Sequence, residues 1–255
     1  MMPKTIPTSA NDTLTSLSTV TAVRLSKVVM QLVGCSRNQS EQYIEGGWVT
    51  VDGKVVEEPY FRITTQKVQL APNAQLTPSQ PVTLLVHKAA GVSMEELASE
   101  RYLNPTTRWI THVTQNVILK RHFRKQEPLL PLETQASGLA LFSQDARIIR
   151  KVNFDRERIE HEYLVEISEA LSTAQMRILQ TGSTRSHSVP RHKVSWQSEN
   201  YLRVAIKGAH LGQVEELFKL INVQPLSLKR LRLGRIPLSS LPVGYWRYAA
   251  TWERI

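Results

Sequence analysis

A chain of 255 residues with 41% apolar side chains can bury a sizeable core, either as one large domain or as a large one beside a small one. Lys and Arg outnumber Asp and Glu by 32 to 22, a formal charge of +10 that favours a polyanionic partner such as nucleic acid over an acidic small substrate, with a merely basic surface as the bland alternative. The single cysteine, Cys35, excludes an intrachain disulfide and a cysteine-built metal site and fits a reducing, cytoplasmic compartment; no apolar run approaches the roughly 20 residues that cross a bilayer.

Residues 1–20 are rich in Ser and Thr and poor in apolar side chains, which predicts a disordered arm; a transit peptide is disfavoured because Arg is absent there. Leu25, Val28, Val29, Leu32 and Val33 then fall at helical spacing, with Arg24, Lys27 and Gln31 on the other face and Gly34 as the stop. Ser36 opens a second short helix that Gly46 and Gly47 close. The run from Trp48 to Val51, then Asp52-Gly53, then Lys54 to Val56 reads as a β-hairpin, because Asp-Gly tolerates the positive φ angles of a two-residue turn.

This order of helix, turn, helix and hairpin, with Arg24-Leu25-Ser26-Lys27, Ser36-Arg37 and Gly47-Trp48-Val49-Thr50-Val51-Asp52-Gly53, closely resembles the S-four RNA-binding domain. The resemblance implies a basic groove for structured RNA at Arg24, Lys27, Ser36, Arg37 and Gln39 over residues 21–70. Lys27 and Arg37 would hold phosphates, giving affinity and salt dependence rather than sequence choice. Ordinary solvated helix faces are the bland reading, and the agreement of sign, spacing and motif weighs against it.

Residues 71–81 include Pro72, Pro78 and Pro81 and little apolar content, as a linker does, so a second domain is expected over 82–255. Val82 to His87, Leu139 to Ser143, His161 to Ile167 and Tyr201 to Ile206 read as strands. Ala146 to Val152, Ser172 to Gln180 and Gln213 to Ile221 read as helices, the last with Val214, Leu217, Phe218 and Ile221 on one face. Strands and helices mix without regular βαβ alternation, which places the chain in the α+β class.

Lys88-Ala89-Ala90-Gly91, the stretch from Leu130 to Asp145, and the end from Leu226 to Gly234 and Leu241 to Arg247 resemble the RsuA, RluB, RluE and RluF type of pseudouridine synthase. The resemblance implies a mixed, mainly antiparallel sheet and conversion of uridine to pseudouridine without cofactor or metal, an aspartate attacking or deprotonating the sugar while the base is held out of the stack. Leu130-Pro131-Leu132-Glu133 replaces the family's Gly-Arg-Leu-Asp, so Glu133 stands where the nucleophile belongs. One extra methylene moves a carboxyl by about 1.5 Å, and a misplacement of about 1 Å can cost roughly a hundredfold in rate. Gln213-Val214-Glu215-Glu216 replaces Gln-Val-Arg or Gln-Val-Lys, so Glu215 would face Glu133 where a cation is expected. Two carboxylates about 4 Å apart repel by roughly 4 kcal/mol at an effective dielectric near 20. Tyr163 keeps the family's base-stacking tyrosine and His161 replaces a lysine; a core aromatic and an exposed loop carboxylate are the plain alternatives for Tyr163 and Glu133.

Further RNA contacts are expected at Lys88 and at Lys120, Arg121, Arg124 and Lys125 around Phe123, with Lys229, Arg230, Arg232 and Arg235 as a second basic group. His112, His122, His187 and His192 lack a zinc-ligand framework and are expected at the surface or facing RNA. The sequence thus predicts a monomeric, cytoplasmic protein that binds structured RNA, ribosomal rather than transfer RNA, with no membrane, cofactor or metal and with catalysis weak or lost. The alternative is an active synthase with Glu133 as nucleophile.

Overall fold

The computed structural model describes residues 21–76, 80–110, 118–184, 187–188, 192–250 and 252–253. The expected arm over 1–20, part of the expected linker and His112 lie outside them. Two compact units divide the chain after residue 79.

The small unit runs β1 (Val23–Arg24), α1 (Leu25–Val33), α2 (Arg37–Glu45), β2 (Val49–Val51), β3 (Lys54–Val55), β4 (Arg62–Ile63) and β5 (Val68–Leu70). Gly34 ends α1 at φ +70°, and Ser36 starts α2 with a reciprocal capping box to Gln39. Asp52 and Gly53 adopt φ +48° and +79°, the two positive angles that a twisted hairpin turn between β2 and β3 requires. Leu25, Val29, Ile44, Val49, Val51 and Ile63 form the core. The start of α1 has no side-chain cap. Instead the N–H groups of Leu25 and Ser26 donate to the carbonyls of Phe61 (2.7 Å) and Pro59 (3.1 Å), so residues 59–61 satisfy helix donors that would otherwise be orphaned.

The large unit continues with β6 (Thr83–Lys88), α3 (Met94–Leu97), β7 (Glu127–Leu129), β8 (Ser137–Ser143), α4 (Ala146–Asp155), β9 (Glu160–Glu166), α5 (Thr173–Thr181), β10 (Ser183–Thr184) and β11 (His187–Ser188). It ends with β12 (His192–Ser198), β13 (Tyr201–Lys207), α6 (Gln213–Lys219), β14 (Ser227–Leu233), β15 (Ile236–Pro237) and β16 (Trp246–Tyr248). Among the described residues, a nine-stranded sheet has the order β12-β13-β9-β14-β8-β6-β16, with β15 on β14 and β7 on β8. Every pairing in it is antiparallel except β14 with β8. The α+β class with a mainly antiparallel sheet is therefore the fold the chain adopts. β12 is one edge, and its pairing with β13 shifts register between Trp196 and Ser198. No helix among the described residues is long and apolar enough to cross a membrane.

One close approach places the site. Gly138 adopts φ +111°, and a Cβ there would collide with the backbone of Arg230, its register partner across the parallel seam of β8 and β14.

Candidate active site

The loop from Leu130 to Ala136 connects β7 to β8 and carries Glu133; it starts with Leu130 in the left-handed region at φ +49°. Leu130, Leu132 and Ala136 are buried and fix its course, while two buried cations clamp its backbone. The Lys88 ammonium, at the end of β6, donates to the carbonyls of Ala89 (3.1 Å), Thr134 (2.8 Å) and Ala136 (2.5 Å). The Arg230 guanidinium, on β14, donates through Nε to Leu139 (2.8 Å) and through Nη1 to Leu130 (2.8 Å) and Pro131 (3.3 Å). Both side chains are 0% exposed, and a buried charge persists only where acceptors replace its water. Gly91 adds an N–H bond to the Thr134 carbonyl (2.8 Å) from the turn at φ +83° that follows Lys88.

Glu133 reaches across to the start of α6, where its Oε1 accepts the N–H of Gly212 at 2.7 Å. Its Oε2 is buried without a hydrogen-bond partner, and so is Oε2 of Glu215 on α6. Burial raises the Glu215 carboxyl above the ordinary range, and Glu133 raises it further, so the two carboxyls do act on each other. Among the described residues no cation forms an ion pair with Glu133. Burial pulls the Lys88 ammonium down to about 8, against the favourable field of Glu133 and with the repulsion of Arg230. Burial likewise works against the charge of Arg230, while Tyr163 and Glu133 favour it.

Tyr163 on β9 is the register partner of Arg230 across β14, so the two side chains share a face. Burial raises its phenol, Arg230 opposes that shift, and Glu133 and Glu215 add to it. At 3% exposure Tyr163 packs into the core, so its ring forms a wall of the site and offers no open face to a base in this conformation. His161, two residues earlier, is 1% exposed and approaches the Tyr163 hydroxyl through Nδ1 at 3.4 Å. Beside this cluster opens a cleft of about 460 Å³, lined among others by Gln135, Ala136, Glu215, Lys219 and Leu228.

Several sequence expectations are corrected. Lys88, expected at an RNA surface, faces inward onto three carbonyls. Arg230, taken with a basic group, is the second internal clamp, and Arg232 of the same group pairs with Glu160 and Glu162, both at 2.5 Å. His122, expected outside, is 5% exposed and bonded through Nδ1 to the Tyr248 hydroxyl (2.7 Å), while Phe123 packs edge-on against Trp246. Of the surrounding cations Lys120, Arg124 and Lys125 are exposed and Arg121 is half-buried. In the small unit Arg24, Lys27 and Arg37 are exposed, but the side chains of Ser36 and Gln39 are engaged in capping α2. Sequence reasoning missed the inward role of Arg230; its pairing with Leu228 at a spacing of two was the available signal. A register shift between Arg230 and Arg232 hides that alternation. No group of His, Cys, Asp and Glu that could hold a metal occurs among the described residues.

The S4 domain matches residues 23–68. An uncharacterized RNA pseudouridine synthase of Aquifex aeolicus (strain VF5) is 23% identical over 228 residues, 88% of this chain and 92% of the relative. The ribosomal small subunit pseudouridine synthase A of Vibrio cholerae serotype O1 is 23% identical over 236 residues, 91% of this chain and 97% of the relative. The dual-specificity RNA pseudouridine synthase RluF of Escherichia coli (strain K12) is 21% identical over 235 residues, 89% of this chain and 75% of the relative. A crystal structure of a pseudouridylate synthase shares the fold at a TM-score of 0.55 and 16% identity, over 89% of this chain and 96% of that one. An S4 domain followed by an α+β unit, aligned with these proteins over nearly its whole described length, makes the chain similar to RsuA- and RluF-type pseudouridine synthases.

Proposed function

We propose that this chain binds structured ribosomal RNA on the frame of a pseudouridine synthase, with isomerisation weak or lost. The observation that carries the reading is the surroundings of Glu133: its carboxylate accepts the Gly212 N–H and lies in the field of Glu215, with no ion-paired cation among the described residues. Lys88 and Arg230, the cations nearest in the buried cluster, are turned onto loop carbonyls. A nucleophile or base that must act on a ribose needs accurate placement, and a longer side chain held on a helix-start amide is placed for a different task. The relatives are named as ribosomal small subunit and dual-specificity RNA synthases, which supports RNA, and ribosomal RNA first, as the partner. The exposed Arg24, Lys27 and Arg37 within the S4 match supply phosphate contacts without cofactor or metal.

A second reading, an active synthase with Glu133 as nucleophile, draws support from Glu133 Oε2, which has no hydrogen-bond partner. The test is to incubate the purified protein with ribosomal and transfer RNA from a strain lacking it, map new pseudouridines, and record retained RNA by crosslinking. Specific ribosomal RNA crosslinks without new pseudouridine are expected, unchanged in Glu133→Gln. A new pseudouridine that vanishes in Glu133→Gln overturns the first reading and establishes the second.

A further inference from the structure

The start of α1 brings Tyr60, which the S-four motif does not include, beside Arg24, which it does. Pro59 is buried, and the carbonyls of Pro59 and Phe61 accept the Ser26 and Leu25 N–H groups, so the backbone on either side of Tyr60 is fixed to the helix. Tyr60 itself is 61% exposed and Phe61 40%. The Arg24 guanidinium lies over the Tyr60 ring at 5.4 Å from its centroid. Arg37 stands at the first position of α2 and is exposed. Its ion pair with Glu41 (2.9 Å) is exposed, and a pair of that kind exchanges for another anion at little cost. An exposed aromatic ring whose flanking backbone is fixed, with a cation over it, is an arrangement that takes a nucleobase on the ring and a phosphate on the cation. Its place in the chain gives no such signal, since Tyr60 stands after the hairpin, in a turn preceded by Glu57 and Glu58.

We infer that Tyr60, with Arg24 over its ring, is a stacking platform for one unpaired RNA base, so that the small unit selects a single-stranded nucleotide within its RNA. The inference rests on the RNA-binding reading above and deepens it: phosphate contacts alone choose no base, whereas a platform distinguishes an unpaired base from a paired one. The probes are two fluorescein-labelled RNA hairpins, one blunt and one carrying a single-stranded adenylate tail, titrated with the full chain. The wild type is expected to prefer the tailed hairpin, Tyr60→Ala to lose that preference with a roughly tenfold to hundredfold weaker affinity, and Tyr60→Phe to keep it. Because stacking releases no counterion, Tyr60→Ala is expected to leave the salt dependence of binding unchanged, whereas Arg37→Ala lowers its slope by about one phosphate contact. The thermal midpoint of Tyr60→Ala should match that of the wild type, which separates stacking from folding. Equal binding of both hairpins by the wild type, or a preference intact in Tyr60→Ala, overturns the platform and leaves RNA binding standing. Failure to bind either hairpin also overturns it, and the ribosomal RNA crosslinks proposed above then decide whether the RNA-binding reading falls with it.

Discussion

Two cations of the large unit, Lys88 and Arg230, are used in the opposite way to those of the small unit. In the small unit Arg24, Lys27 and Arg37 point into solvent around a minimal core, whereas in the large unit Lys88 and Arg230 are withdrawn from water and organise a loop. The +10 charge is therefore no direct measure of binding surface. An exposed cation acts through its long-range field and the counterions it displaces, while a buried one acts through short, directed bonds to carbonyls.

Substitutions in the large unit should break this contrast most forcefully. Gly138→Ala forces a Cβ into the Arg230 backbone at a φ of +111°, and a loss of more than about 3 kcal/mol in urea unfolding is expected from collision plus strain. Arg230→Met leaves the Leu130, Pro131 and Leu139 carbonyls without their donor and should cost about 3 kcal/mol by the same measurement. Arg230→Lys should recover less than half of that, since one ammonium cannot reproduce the planar fork.

Acid should also act through the large unit. Burial, with Arg121 adding to it, lowers His122 to about 4; burial, with Arg230 and Arg156 adding, lowers His161 to about 3. Both stay neutral in the fold while the unfolded chain takes up protons near pH 6.5. Stability is thus held above pH 6.5 and lost as pH falls from there toward 4 and then 3. Replacing His161 by Leu should flatten that decline by up to about 1.4 kcal/mol per pH unit, read from melts across the acid range.

Smaller effects belong to the small unit and sharpen the comparison. Ser36→Ala removes the capping box and should cost about 1 kcal/mol. Arg37→Ala should leave the unfolding midpoint close to that of the wild type, because its pair with Glu41 is exposed, yet weaken RNA binding at low salt. If Arg37→Ala destabilised the fold as much as Arg230→Met, the division between outward and inward cations would fail.

Legibility in the sequence followed the same line. Gly34, Ser36 as a helix start, and Asp52-Gly53 could be read because each stabilises a structure within a few residues of itself, whereas Gln39, expected at RNA, caps the helix instead. Lys88 could not, since its acceptors Thr134 and Ala136 lie 46 and 48 residues away, nor Arg230, whose acceptors Leu139 and Leu130 are 91 and 100 away. In a basic run His122 looks solvated until Tyr248, 126 residues on, supplies its partner. The position of Glu133 was legible from the motif around it, but its bond to Gly212, 79 residues away, was not.

The register shift in β12 carries a consequence for how copies of the chain meet. A free strand edge offers unpaired N–H and C=O groups to any other strand, and long, flat, apolar edges recruit one. Here the edge is bulged between Trp196 and Ser198, Lys193 is exposed on it, and only Val194 of its seven residues is buried. Among the described residues no further strand pairs with this edge, and a second copy would find a bent and charged template, a poor one for edge-to-edge pairing.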